Sequence, residues 1–288
     1  MRRVTLFVML SIAGCPTTNA QSSDAGTDAP PTDGRACIQG ETCDCRAALV
    51  VPAGTHWMGS DTDRGSRYLF PAHQVALTRP VWLAAYEATA GCYAACAREG
   101  VCTDTDPTPT SIWPGLPVGY WRDPGFADLP VAGLDPAQAD AYCAWLGGRL
   151  PTNAEFEKAI RGEDGRSAPW MPTPADPRDA PRALELCDHA AGLCGGPLPD
   201  AVNTLPMSRG PYGHHHVIGN VEEWVADGYA DYIEGLVTDP FTSPTSPDSR
   251  VLRSQLGQGW YRNTYEFAGS NLAGVRCAFD TEPEMLSR

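Results

Sequence analysis

The spacing of apolar and polar residues changes period several times along the chain, and each change predicts an element. In "ALVVPAGTHWMGS" the run from Leu49 to Val51 predicts a strand, then a glycine turn and a second short strand ending at Gly59. "HQVALTRPVWLAAYEAT" alternates, with Val75 and Leu77, then Val81, Leu83 and Ala85, which predicts a strand pair broken at Pro80. The period then lengthens. Thr89 is placed to cap a helix over "AGCYAACARE" that Gly100 stops. In "LDPAQADAYCAWLGG", Asp135 at N-cap, Pro136 at N1 and Gln138 at N3 form a capping-box pattern. Ala139, Tyr142, Cys143 and Leu146 follow at i, i+3, i+4 and i+7, and Gly147 ends the helix. "LPTNAEFEKAIRG" repeats the design: Thr152 caps, Glu155 returns the bond, Phe156, Ala159 and Ile160 face inward, and Gly162 stops it. Beyond Gly162, turns dominate through Val217; "VIGNVEEWVADGY" and "RVLRSQLGQGW" read as short buried segments, the second strand-like.

Composition narrows the class. The chain has 288 residues, enough for a sizeable core, and its 29 Gly and 27 Pro suit a loop-rich globular protein better than a helical bundle. Its net charge of -14 excludes a basic nucleic-acid-binding face and suits hard cations such as calcium. The N-terminus reads as a targeting device. Arg2 and Arg3 precede the apolar "VTLFVMLSIAG", too short to span a bilayer, and "IAGC" places small residues before Cys15. Residues 1–14 are therefore expected to be a lipoprotein signal peptide and Cys15 the lipidated N-terminus; a secretory signal cut near Ala20 is the alternative. Either way the protein is expected to be exported. Pro16 after Cys15 points the anchored form to the outer membrane of a bacterial envelope. Residues 15–45 are expected to be the anchor and a flexible tether, rich in Pro, Thr, Asp, Ser and Gly without apolar period.

Of the 11 cysteines, ten remain once Cys15 is assigned to lipid, which allows up to five disulfides in an exported protein. Local spacing suggests Cys96 with Cys102 and Cys187 with Cys194. Cys37, Cys43, Cys45, Cys92, Cys143 and Cys277 are left open. A metal pair at Cys92 and Cys96 is the competing reading, without a partner pair at zinc-finger spacing.

"VPAGTHWMGS", "YEATAGCY", "AYCAWLGGRLPTNAEFEKAIRG", "PYGHHHVIGNVEEW" and "LAGVRCAFD" occur in this order, and block by block they resemble the formylglycine-generating enzyme (sulfatase-modifying factor) family. The resemblance implies an α+β, loop-rich fold, a variant of the C-type-lectin-like fold, over residues 46–282. It implies a bridge from Cys143, in the "AYC" helix, to Cys277. The family's second bridge starts one helix later, where this chain has Ala159. The resemblance also implies structural calcium. One site would take the side chains of Asn220 and Glu223 and the carbonyls of Gly219 and Val221; a second, more loosely aligned, would take Asp188, Asp200 and the carbonyls of His189 and Val202. Without calcium, Asn220 would cap a turn and Glu223 would be a solvated acid.

The family's copper(I) enzymes carry two cysteines after a "GGSW/Y" turn. Here the turn is "GQGW", Arg262 and Phe267 stand where the cysteines are expected, and no cysteine occurs between Cys194 and Cys277. Arginine has no lone pair for copper(I), so copper is not expected. The leading reading is thus a non-catalytic binding or scaffolding module anchored on the cell envelope. Trp260, Tyr261 and Arg262 could form a cleft surface for an extended peptide or glycan, with core packing as the alternative for the aromatics. A second reading is an oxidoreductase of the same family with altered chemistry, using His214, His215 and His216 as metal ligands. A surface loop with one core histidine is the plainer account of that triplet.

Overall fold

A computed structural model describes residues 44–61, 69–105, 113, 115–166, 198–204, 209–246, 249–253, 262–264 (backbone only) and 273–284. Strands β1 (Ala48–Val51), β2 (Gly54–Met58), β3 (His73–Leu77) and β4 (Val81–Ala84) come first. Helices α1 (Ala90–Arg98), α2 (Pro136–Trp145) and α3 (Asn153–Arg161) follow, with two single 3₁₀ turns at Tyr120–Arg122 and Pro124–Phe126. The later strands are short: β5 (Glu222–Trp224), β6 (Leu236–Thr238), β7 (Val251–Arg253), β8 (Arg262–Thr264), β9 (Ala273–Gly274) and β10 (Ala278–Phe279).

The strands form three small sheets ordered β1-β4-β10, β2-β3-β6 and β8-β7-β5-β9. Neighbours in sequence share a sheet in some cases, as β2 with β3 and β7 with β8, but β1 and β2, β3 and β4, and β4 and β5 are dealt to different sheets. The pair expected around Pro80 is not a pair: β3 lies against β2 and β6, while β4 lies between β1 and β10. Four residues, Thr78 to Arg79 and the flanking Leu77 and Pro80, are enough to carry the chain across. The terminal β10 closes on β4 through Ala278 opposite Leu83, so the chain's end completes the sheet its beginning starts.

The helix caps follow the sequence closely. Thr89 Oγ1 accepts from Cys92 N–H at 3.1 Å. Asp135 and Thr152 each make both halves of a capping box, with Gln138 and Glu155 returning the bond. Each box satisfies two of the N–H groups that a helix start leaves without intrahelical partners. Gly147 and Gly162 adopt φ of +80° and +67°, conformations that side chains with a Cβ rarely hold, and so end α2 and α3.

The main core lies between α1, α2 and the sheet of β5, and contains Tyr93, Trp121, Tyr142 and Trp224. Buried Tyr120 keeps its hydroxyl satisfied by donating to Pro130 C=O (2.6 Å) and accepting from Ala132 N–H (2.9 Å). Three disulfides join described residues. Cys143 in α2 is bonded to Cys277 beside β10, with Cα atoms 5.4 Å apart. Cys96 is bonded to Cys102 across the end of α1. Cys45, which the sequence leaves at the end of the tether, is bonded to Cys92. Cys92 and Cys96 are therefore both consumed as disulfides, which overturns the metal-pair reading. Cys187 and Cys194 lie outside the described residues, as do the signal segment and Cys15.

Helix α3 is buried on every side. Phe156 and Ile160 pack on Val217, Ile218, Val225 and Val251, but Glu157, Lys158 and Arg161 are also fully buried. Each finds partners. Lys158 Nζ donates to the carbonyls of Pro52 (2.8 Å) and Gly54 (3.1 Å). Glu157 pairs with Arg161 at 2.7 Å and with Arg253 of β7 at 3.0 Å, and accepts from Gly59 N–H. The helix is a polar hub that ties β2, β7 and the following turn together. Among the described residues no helix is long and apolar enough to cross a membrane.

Candidate functional site

Of the residues singled out for calcium, Asn220, Asp200 and Val221 come together around Glu87, where the loop ahead of β5 meets "YEAT". Asn220 has a φ of +62°, a left-handed conformation that asparagine tolerates better than most residues. That turn aims its amide inward. Asn220 Oδ1 accepts from Asp200 N–H (3.0 Å), and Nδ2 donates to Glu87 Oε2 (2.7 Å) and Asp200 C=O (3.1 Å). Residues of the two proposed calcium sets, Asn220 and Asp200, are thus directly hydrogen-bonded. Val202 is fully buried and donates its N–H to Asp128 C=O. Asp188 and His189 lie outside the described residues.

Glu223 is fully buried, which overturns its reading as a solvated acid. Its Oε1 accepts from Arg276 Nε (3.1 Å) and pairs with the second guanidinium nitrogen at 2.9 Å. Its Oε2 is buried and has no hydrogen-bond partner among the described residues. Arg276 is spent on fixing backbone as well: it donates to the carbonyls of Ala84 (3.0 Å) and His215 (2.7 Å). Glu87 completes the cluster, its Oε1 accepting from Val221 N–H at 3.3 Å. Burial, then the neighbouring Glu223, push the Glu87 carboxyl well above the usual carboxylate range; burial also raises Glu223, against the pull of Arg276.

Two buried carboxylates therefore lie within electrostatic reach of one guanidinium, which pairs directly with Glu223. A proton on Glu87 or a bound cation would close the charge balance. The donors suit calcium in kind: two carboxylates, an amide and backbone carbonyls, all oxygen. No group of three or more His, Cys, Asp or Glu side chains converges on a metal position among the described residues, so an ion here would depend on backbone and amide oxygens. Glu87 and Arg276 carry roles that the sequence did not assign. Both stand inside recognisable blocks, "YEAT" and "GVRC", yet nothing in their spacing shows that they meet Glu223.

The histidine triplet behaves differently from either expectation. His214, His215 and His216 are all buried, not a surface loop with one core member. They also diverge. His214 Nε2 contacts Leu49 C=O at 3.2 Å. His215 packs its ring 4.8 Å from Tyr86 and places Nε2 2.7 Å from Arg209. His216 sits at a φ of +47°. The alternation that would let His214 and His216 share a face does not occur, because the segment is a turn and not a strand. Burial lowers all three, His214 and His216 to about 3 and His215 to about 4, with the Arg276 and Arg209 guanidiniums adding to the effect. They are neutral packing groups near pH 7.

Arg262 lies on β8, its backbone opposite Arg253 of β7. Trp260, Tyr261 and Phe267 lie outside the described residues.

Comparison with known proteins agrees with this architecture. Residues 35–282 match the sulfatase-modifying factor enzyme 1-like domain. The chain is 31% identical over 191 residues to the inactive C-alpha-formylglycine-generating enzyme 2 of Mus musculus, covering 61% of this chain and 54% of that protein. It is 30% identical over 204 residues to the formylglycine-generating enzyme of the same species, covering 58% and 51%. The chain thus spans about half the length of the curated relatives it matches. Among solved structures it shares its fold with PvdO from Pseudomonas aeruginosa, at a TM-score of 0.60 and 23% identity over 82% of this chain and 94% of that one. By its domain match, its fold and its ordered motif blocks, this chain belongs to the sulfatase-modifying factor family.

Proposed function

We propose that the chain is an exported, lipid-anchored member of this family that binds a partner at the bacterial cell envelope and does not oxidise protein cysteine. One observation carries this reading: no cysteine is encoded between Cys194 and Cys277, where the family's copper enzymes hold their thiolate pair. Copper(I) needs soft ligands, and the Arg262 guanidinium that replaces the first offers none. The similarity to a relative named as inactive, about equal to that to an active one, is consistent with it. The test is direct. Purified protein incubated with copper and a peptide bearing the sulfatase motif should form no aldehyde above background; aldehyde formation would overturn the proposal. The anchor has its own test. Replacing Cys15 with alanine should shift the protein from the membrane fraction to the soluble fraction, and no shift would refute lipidation at that residue.

Calcium belongs to the same proposal as a structural ion. Asn220, Glu223 and the carbonyls of Gly219 and Val221 would hold it, with Glu87 as an added carboxylate. Asp188, Asp200 and the carbonyls of His189 and Val202 would hold the second. Bound calcium would supply positive charge to a buried cluster that has one carboxylate in excess of its guanidinium. Calcium should raise the unfolding temperature, chelator should lower it, and Glu223→Gln should abolish most of the difference. An unfolding temperature indifferent to calcium and chelator would remove the metal from the proposal and leave protonation of Glu87 as the balance.

A further inference from the structure

Strand β6 forms one side of the sheet β2-β3-β6. Its parallel register with β3 fixes which backbone groups are used. Gln74 N–H donates to Gly235 C=O at 3.1 Å, and Asp239 N–H donates to Ala76 C=O at 2.9 Å. Backbone direction alternates along a strand, so the N–H and C=O groups of Leu236 and Thr238 point away from β3. Among the described residues no strand pairs with that side. An open edge of this kind is a template for an added strand.

Beside the edge lies a cleft of about 330 Å³, walled by Met58, Ile233, Val237 and Phe241, with Asp227 and Asp231 in its lining. Ile233 and Phe241 are 65% and 55% exposed, and Leu236 on the edge itself is 61% exposed. Three large apolar side chains open to solvent within so short a stretch mark a contact surface better than scattered exposure would. The segment that supplies most of the lining is acidic, although His73 of β3 also lines the cleft, its ring 4.6 Å from that of Tyr232. From Ala226 to Ser246 the sequence has four carboxylates, at positions 227, 231, 234 and 239, and no Lys, Arg or His. None of the four forms an ion pair among the described residues. Asp227 is buried, and its two oxygens accept from the N–H groups of Asn153 (2.7 Å) and Thr242 (3.1 Å).

We propose that this face binds an extended peptide that pairs with the free edge of β6 and places a lysine side chain in the cleft. The apolar walls would cover the lysine stem while its ammonium approaches Asp227 and Asp231. Lysine suits the cleft better than arginine. Both Asp227 oxygens already accept a hydrogen bond, which leaves room for a compact point charge but disfavours a planar two-pronged donor. The inference goes beyond the proposed function and stands whether or not the chain oxidises anything.

The test uses the purified full chain and fluorescein-labelled Thr-Val-Lys-Val-Thr, read by fluorescence polarisation. Saturable binding is expected, at least fivefold weaker when norleucine replaces lysine and weaker again with arginine than with lysine. Ile233→Ser and Phe241→Ser, both at exposed positions, should each weaken it at least fivefold, while the distant Glu282→Gln should not. N-methylation of alternate peptide amides should abolish it if the peptide adds as a strand. Absence of saturable binding, equal affinity for the lysine and norleucine peptides, or unchanged affinity in both serine variants would overturn the proposal. Tolerance of N-methylation on both alternations would overturn the strand pairing.

Discussion

Single residues decide whether this fold can hold its buried charges. Glu157 serves Arg161 and Arg253 at once, all three fully buried. Removing one partner of such a group leaves an uncompensated charge where water cannot reach, which costs about 3–5 kcal/mol. Glu157→Ala should therefore lower stability by about that amount in urea unfolding; a loss under about 1 kcal/mol would show that the cluster is solvated in solution. His56 makes the opposite case. It is buried beside this cluster with no hydrogen-bond partner for either ring nitrogen among the described residues, and burial lowers it to about 3. The unfolded chain protonates the same ring near pH 6.5, so its stabilising contribution is present above that pH and is lost as pH falls from 6.5 towards 3. His56→Leu should flatten the loss of stability between pH 7 and pH 5, measured by urea midpoints at both values. An equal drop in wild type and variant would refute the assignment. Asp227, raised by burial to about 6, works in the other sense: its contribution grows as pH falls through 6. None of these roles was legible in sequence, because a charged residue in "AEFEKAIRG" looks like the solvated face of a helix until another strand covers it.

At the scale of elements, the helices were the legible part. Their caps are local: Thr152 and Glu155 satisfy each other's backbone within four residues, so the pattern is in the sequence and the geometry follows. Thr152→Ala should cost about 1 kcal/mol, read as a lower thermal midpoint; no change would mean that tertiary packing alone sets the start of α3. Strands were half legible. Their positions follow from alternation, but their partners do not, because a strand's hydrogen bonds go to residues elsewhere in the chain. Hence β3 and β4, adjacent in sequence, end in different sheets, and β5, three residues long, is held between β7 and β9. The histidine turn departs from its expected surface position for the same reason. Its burial comes from β1, Tyr86 and Arg209 closing over it, not from its own pattern.

For the molecule as a whole, the covalent links set the closure. The Cys143–Cys277 bond spans 134 residues and Cys96–Cys102 spans 6. In the chain-entropy view the first restrains the unfolded state by about 5 kcal/mol and the second by about 2 kcal/mol. Replacing Cys143 and Cys277 together by alanine should accordingly cost more than replacing Cys96 and Cys102, compared by denaturant unfolding of the two double variants; the reverse order would point to native-state strain or packing as the larger effect.

What the sequence determined by itself is what depends on neighbours along the chain: the capped helices, the turns, the ordered family blocks, and the stretch between Cys194 and Cys277 that encodes no cysteine. What only the tertiary structure decided is which distant groups are buried together. Glu87, Glu223 and Arg276 come from three separate segments, and their charge balance exists only once burial makes each of them costly alone. The same holds for the edge of β6, which no strand among the described residues pairs with, since an edge is defined by the whole sheet and not by its own sequence.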